Sequence, residues 1–212
     1  MAIIQSGVDA TQLTIDPTLK TARVVIKPDE LTGAYQYSGA SAATTGLSAT
    51  NPVFSFRYSP GTSAVCVVKR VSIGFVTTAF TTAGQHSFGL FAARNFTGSD
   101  SGGAGATLSG NNNKYRTSLA TTGVADIRIA TSSTLTAGTR TLDTNPLGLV
   151  NFYVAAVGTS LTPTEFLTYD INDYPLVLAN NEGFIITSVL AFPVSNQGTI
   201  VVNVEWFETS AY

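Results

Sequence analysis

The stretch RNFTGSDSGGAGATLSGNNNKYRTS, from Arg94 to Ser118, gathers residue types that often do chemistry in a loop. Glycines near a lysine and two arginines suggest a phosphate cradle. That chemistry needs Gly-Lys-Ser/Thr in a strand–loop–helix frame, so that backbone N–H groups and the lysine meet the phosphates together. Here Lys114 follows Asn111, Asn112 and Asn113, and the residues after it do not begin an apolar helix. A calcium loop collects several oxygen donors, usually with two or more carboxylates. Asp100 is the only carboxylate in the stretch. Asparagine side chains and carbonyls could complete a weak ion site within 97–113. The simpler reading is that Asp100 and the asparagines cap turns through side-chain-to-backbone bonds.

A serine nucleophile is the third possibility. The pentapeptide SDSGG, Ser99 to Gly103, resembles the Gly-Asp-Ser-Gly-Gly of chymotrypsin-like proteases, with Ser99 in place of the first glycine. The base would have to be His86, the only histidine, which lies in GQHSFG fifteen positions before Ser101. No aspartate stands between His86 and Asp100 to orient it, and a triad needs all three groups in mutual hydrogen-bond reach. A zinc site would have only His86 and Cys66 as nitrogen and sulfur ligands, too few for a tetrahedral centre. Cys66 in AVCVV reads as a small buried hydrophobe. Two carboxylate pairs, Asp170 with Asp173 and Glu205 with Glu208, are close in sequence. In a regular strand Glu205 and Glu208 point to opposite faces, and YDINDYP reads as a turn. No catalytic residue, cofactor or metal is therefore expected.

The elements that position these residues read as strands. In TIVVNVEWFET, Ile200, Val202, Val204 and Trp206 share one face and Asn203 and Glu205 the other, the two-residue period of a half-buried strand. PVFSFRY, AVCVVKRVSIGFVTTAF, HSFGLFAAR, VADIRIA, LVNFYVAAV, YPLVLA, GFIITSVLAF and ARVVIKP are further candidates, rich in β-branched and aromatic residues. Turn signals such as SPGT, TAGQ, LTAGT, NNEG and SNQG fall between them. About ten strands with connections of very uneven length predict an all-β fold, a jelly-roll-like two-sheet β-sandwich with long loops. One short helix is expected near 163–169: in TPTEFLTYD, Thr162 caps, Pro163 takes the first helical position and Glu165 completes a capping box. Tyr35 and Tyr37 in GAYQYSG share a face and read as exposed aromatics for glycan or protein contacts.

Composition limits the functions open to such a fold. The chain has 212 residues, a length that suits one all-β domain; the expected division is an N-terminal arm, 1–22, and a sandwich, 23–212. Only 11% of residues are charged, against about 25% in typical soluble domains, and the mean hydropathy is +0.22. No apolar run reaches the roughly 18 residues of a membrane helix, and MAIIQSGVDATQ has neither a basic region nor a long apolar segment, so no membrane contact and no signal peptide is expected. The net charge of −2 offers no basic face for nucleic acid. A surface of Thr, Ser, Asn, Gly and Ala with few charges suits burial against neighbouring subunits, because no ion has to be desolvated.

Three segments together resemble virion structural proteins of tailed bacteriophages: IDPTLKTARVVIKPDELTGAYQYSG, the central LFAARNFTGSDSGGAGATLSGNNNKYRTS with ADIRIATSSTLTAGTRTLD, and YPLVLANNEGFIITSV with TIVVNVEWFE. The resemblance implies a multimeric β-sandwich without catalytic chemistry, located in the virion and assembled in the host cytoplasm. The expected role is a capsid-surface or decoration protein, forming a homotrimer or another cyclic oligomer and contacting other virion proteins. A tail or baseplate component, or a host-glycan-binding module, is the alternative. A major coat protein fits less well, because the arm has no Lys or Arg before Lys20. On this reading the Gly/Ser/Asn stretch is an ordered loop at a subunit contact or on the virion surface, where Arg94, Lys114 and Arg116 pair with acids beside Asp100 and Asn111 to Asn113.

Overall fold

The computed structural model describes residues 34–42, 44–47, 49, 51–79, 83–154, 160–168, 175–191 and 197–209. The expected arm at 1–22, the candidate strand ARVVIKP, and Asp170 and Asp173 lie outside them. Every element among the described residues is a strand: β1 (Ala34–Ala40), β2 (Thr44–Thr45), β3 (Pro52–Tyr58), β4 (Val65–Ala79), β5 (Gly84–Gly98), β6 (Ala104–Gly105), β7 (Val124–Ile129), β8 (Thr139–Leu142), β9 (Gly148–Val154), β10 (Ser160–Thr168), β11 (Leu176–Leu178), β12 (Glu182–Ser188) and β13 (Gln197–Thr209).

The strands form two antiparallel sheets. Sheet one runs β1-β13-β4-β10, with β2 also on β13 and β11 also on β4; sheet two runs β6-β7-β3-β12-β5-β8, with β9 also on β5. The chain alternates between the sheets: β1 in the first, β3 in the second, β4 back in the first, β5 in the second. It returns to sheet one at β10 and β11, then places β12 in sheet two and β13 in sheet one. Without the short insertions the sheets are β1-β13-β4-β10 and β3-β12-β5-β9, four strands each. This is the strand exchange of a double-sheet jelly roll. Strands β6, β7 and β8 are insertions between β5 and β9 that widen sheet two.

The core lies between the sheets, where the inward residues of both meet. Ile200, Val202, Val204 and Trp206 of β13 are all buried, as their two-residue spacing predicts. Trp206 stacks on Tyr35 at 5.7 Å and takes Phe56 edge-on at 5.1 Å, and Phe56 stacks on Phe184 at 4.9 Å. Toward the other end Phe75 meets Phe88 at 5.8 Å and Phe152 at 6.1 Å. Each such pair adds about 0.5–1.5 kcal/mol beyond the area it buries. Cys66 is part of this core, fully buried and free.

The short helix expected near 163–169 is absent: 160–168 is the strand β10, paired with β4. The ladder explains why a capping pattern can occupy a strand. Its register shifts between Leu161 and Thr164 and again between Glu165 and Leu167, so Pro163 sits at an irregularity. There its missing N–H costs no ladder bond. Fifteen-residue β4 offers the partner edge that local propensity does not anticipate.

Candidate functional site

The stretch that opened the sequence reading does three structural jobs. Its start, Arg94 to Gly98, continues β5. Its middle turns through Gly102 and Gly103, both at positive φ, into the two-residue β6. A Cβ on Gly103 would lie 2.3 Å from the Ile129 carbonyl oxygen, so only glycine fits that approach. The remainder crosses to sheet one and lies along β1. Gln36 N–H donates to Asn113 O at 2.8 Å, Tyr115 N–H donates to Ala34 O at 3.2 Å, and Lys114 forms an antiparallel bridge with Tyr35. The loop thereby covers an edge that would otherwise present unpaired backbone groups.

The asparagines hold its shape. Asn112 Nδ2 donates to Ser109 O at 2.7 Å and Asn113 Nδ2 to Thr107 O at 2.9 Å; Asn113 itself has φ near 64°. Asn111 is exposed in the same turn. Arg94 lies on β5 rather than in a loop, and pairs within the chain: it reaches Glu182 at 2.9 Å and Asp143 at 3.5 Å. Among the described residues no ion pair joins Lys114 or Arg116 to an acid. Asp100 is corrected more sharply. It is buried, not at the surface, and pairs with Arg140 of β8, whose side chain is 4% exposed. Gly138 N–H donates to its Oδ1 at 2.8 Å, and the Arg140 guanidinium lies over the Phe96 ring at 5.2 Å. The partner comes forty residues later, so spacing within the loop gives no hint of it.

Tyr35 and Tyr37 are likewise not exposed platforms. Tyr35 is 1% exposed, with its hydroxyl donating to Ala120 O at 3.0 Å, and burial pushes that hydroxyl's pKa up to about 12. Tyr37 is half-buried and tilts against Phe54 at 5.8 Å. Both lie on the inward face of β1, whose outward residues are Gln36 and Ser38. The GAYQYSG alternation was legible; which side was inward was not.

The nucleophile constellation does not assemble. His86 is buried near the start of β5 against Phe75, while Ser101 lies beyond that strand's far end. The twelve-residue step from His86 to Gly98, the end of β5, spans up to roughly 40 Å at about 3.3 Å per residue. Glu208, in contrast, is a buried carboxylate with a full set of donors. Thr122 Oγ1, Gly123 N–H at 2.9 and 3.0 Å, and Trp206 Nε1 at 3.2 Å all bond to it. Burial nevertheless holds its pKa above the ordinary range, and its charge also raises the Tyr35, Tyr58 and Cys66 values. Glu205, three residues earlier, is on the outer face. Glu208 thus anchors the start of β7 to β13. No group of three His, Cys, Asp or Glu among the described residues could hold a metal.

Two surface features stand out among the described residues. On the outer face of sheet two, Phe96, Ala93 and Ile185 form a small second apolar cluster, with half-buried Phe91 and Leu142 against it. The strip continues into exposed side chains. Leu149 of β9 is opposite Gly89 of β5, and the open space above Gly89 is closed by Phe91 and Val189. Leu147, Leu149, Val189 and Leu190 are 38–51% exposed and Tyr153 is 68% exposed. Among the described residues, no strand pairs with the other side of β9. The sequence signal was partly present: Leu149 and Tyr153, with Asn151 between them, alternate with the inward Val150, Phe152 and Val154, so two of the three outward residues of β9 are large and apolar.

On the outer face of sheet one lies a shallow polar pocket of about 300 Å³, lined by Gln36, Tyr37, Ser38, Arg70, Ser72, Asn203, Val204 and Glu205. It rests on two rungs of the ladder, Gln36–Glu205–Arg70 and Ser38–Asn203–Ser72. Arg70 and Glu205 form an ion pair at 3.7 Å, and Asn203 Nδ2 donates to Ser72 Oγ at 3.3 Å. No family model, curated protein or solved structure matches the chain.

Proposed function

We propose that the chain is a self-assembling structural subunit of a bacteriophage virion, placed on the capsid surface as a decoration protein, and that it works by non-covalent association rather than catalysis. The observation that carries this reading is the apolar strip on the outer face of sheet two. Exposed apolar side chains beside a strand edge that no described strand pairs with favour association, and Leu147, Leu149, Val189 and Leu190 are all uncharged. A second copy of the chain is the occupant it suits: 11% charged residues give little repulsion between copies. Two further points support the reading. Double-sheet jelly rolls recur in capsid subunits, an argument by fold analogy alone. The sequence segments quoted above resemble phage virion proteins along most of the chain.

The test is negative-stain electron microscopy of the purified full chain beside Leu149→Asp. Closed rings or trimers of uniform size in the wild type, and isolated single domains in Leu149→Asp, are the expected result. Single domains in both would overturn the proposal.

A further inference from the structure

We infer that the edge of β9 takes the segment Ala22–Lys27 of a second copy as an added strand, so that neighbouring subunits are tied by their N-terminal arms. This rests on the self-association proposed above and names the part of the neighbour that fills the edge. Among the described residues, the other sheet margins are blunted. β1 is bonded by Asn113 and Tyr115 of the loop that crosses to it. β7 is paired with β6, and Ala106 N–H donates to its Ile127 O at 2.9 Å. β10 carries two register shifts and Pro163. β9 has none of the devices that protect an edge. Its sequence GLVNFYV contains no charge and no proline, and its seven pairs with β5 run without a bulge.

The ladder shows which backbone groups that edge presents. Val189 N–H donates to Ser87 O, so Ser87 turns its backbone toward β12. His86, Phe88 and Leu90 alternate with it and turn theirs toward β9. Their partners Phe152, Val150 and Gly148 are thereby used, and the N–H and C=O groups of Leu149, Asn151 and Tyr153 are directed away from β5. Three residues at two-residue spacing match one strand of about six. Ala22–Lys27 is such a run: Val24, Val25 and Ile26 are β-branched, Arg23 and Lys27 flank them, and Pro28 ends it. Val24 and Ile26 share a face. In the register that turns them outward they lie beside Leu149 and Tyr153, a cross-strand match of β-branched with apolar and aromatic side chains.

The length of the arm assigns the donor. Ala34 begins β1 and is level with Val67 of β4 through Phe207. Phe152 meets Phe75, eight residues or about 26 Å further along β4; Leu149 is three residues, about 10 Å, nearer. β9 ends at Val154 and β10 begins at Ser160, and the two approach each other. β9 is therefore on the β10 side of the sandwich, three strand spacings or about 14 Å from β1 across sheet one and about 10 Å away from sheet to sheet. The core fills the direct line, so a connecting chain must add these offsets rather than cut across them. Lys27 to Ala34 is seven residues, which reach at most about 25 Å. The arm of the same copy falls short of β9, and a neighbour's arm supplies the strand. Each copy then gives one strand and receives one, a heterologous contact that closes into a ring.

The experiment uses the full chain with Val24→Asp and Ile26→Asp together, compared with wild type and Leu149→Asp by light scattering. The expected result is loss of the assembled species to a single-chain mass, with an unchanged far-UV spectrum. In parallel, Tyr153→Cys is combined in turn with Ala22→Cys, Val24→Cys and Ile26→Cys and oxidised. At least one pair should give reducible species at multiples of 22.1 kDa. An assembly that survives Val24→Asp/Ile26→Asp but not Leu149→Asp would overturn the arm assignment and leave association through the strip standing. Disulfides formed only within single chains, or by none of the pairs, would also overturn it. A single-chain wild type would overturn both readings.

Discussion

Replacing Asp100 by Asn removes one charge and little else. The Asn side-chain oxygen can still accept from Gly138 N–H, now 2.8 Å from Asp100 Oδ1. Arg140 cannot lose its proton and is left as a buried cation, its side chain 4% exposed. Breaking a buried ion pair on one side costs about 3–5 kcal/mol, because the remaining charge keeps its desolvation penalty and loses its compensation. The contact with Phe96 offsets only part of this, since a cation over an aromatic ring contributes about 0.5–2 kcal/mol and is already present in the wild type. Urea denaturation at fixed protein concentration measures the loss. With a slope toward the upper end of the usual range of about 1–3 kcal/mol per molar urea, the midpoint should fall by about 1–2 M. Asp100→Leu combined with Arg140→Met should recover most of the loss, because no charge remains buried. A midpoint for Asp100→Asn within about 0.2 M of wild type would refute the reasoning. So would a double variant as unstable as the sum of its single changes.

Glu208 has a folded-state pKa above its ordinary value, chiefly through burial. The folded state then binds more protons than the unfolded state. Its stabilising contribution is full below the ordinary carboxylate range and is lost as pH rises through the raised value. Glu208→Gln should therefore gain stability relative to wild type as pH rises across that window, measured as the difference in urea midpoints at each pH; a difference that is flat with pH would contradict this. Gly103→Ala should cost about 1–3 kcal/mol, because φ is near +60° and the new Cβ meets the Ile129 carbonyl; thermal melting reads the shift, and an unchanged melting temperature would contradict it. Trp206→Ala should cost about 3–5 kcal/mol by removing the centre of the Tyr35–Trp206–Phe56 cluster; a urea midpoint within about 0.2 M of wild type would count against that packing.

The all-β sandwich was legible because its central strands carry a strict two-residue alternation, above all in β13 and β3. Asn203 and Glu205 could be assigned to an outer face from that period alone. The helix near 163–169 misled because a proline and a capping pattern mark a helix start in isolation, while a strand irregularity against β4 accepts the same residues. Asp100 misled because its partner Arg140 is brought to it by the pairing of β5 with β8, a long-range fact. Tyr35 and Tyr37 misled because the β1 alternation does not say which face the second sheet will cover.

The most direct measurement of the central claim is the solution mass of the full chain by light scattering across a dilution series, with Leu149→Asp alongside. The account predicts a species of uniform mass, a small multiple of 22.1 kDa, that Leu149→Asp reduces to the single-chain mass. A single-chain mass for the wild type at every concentration would contradict it.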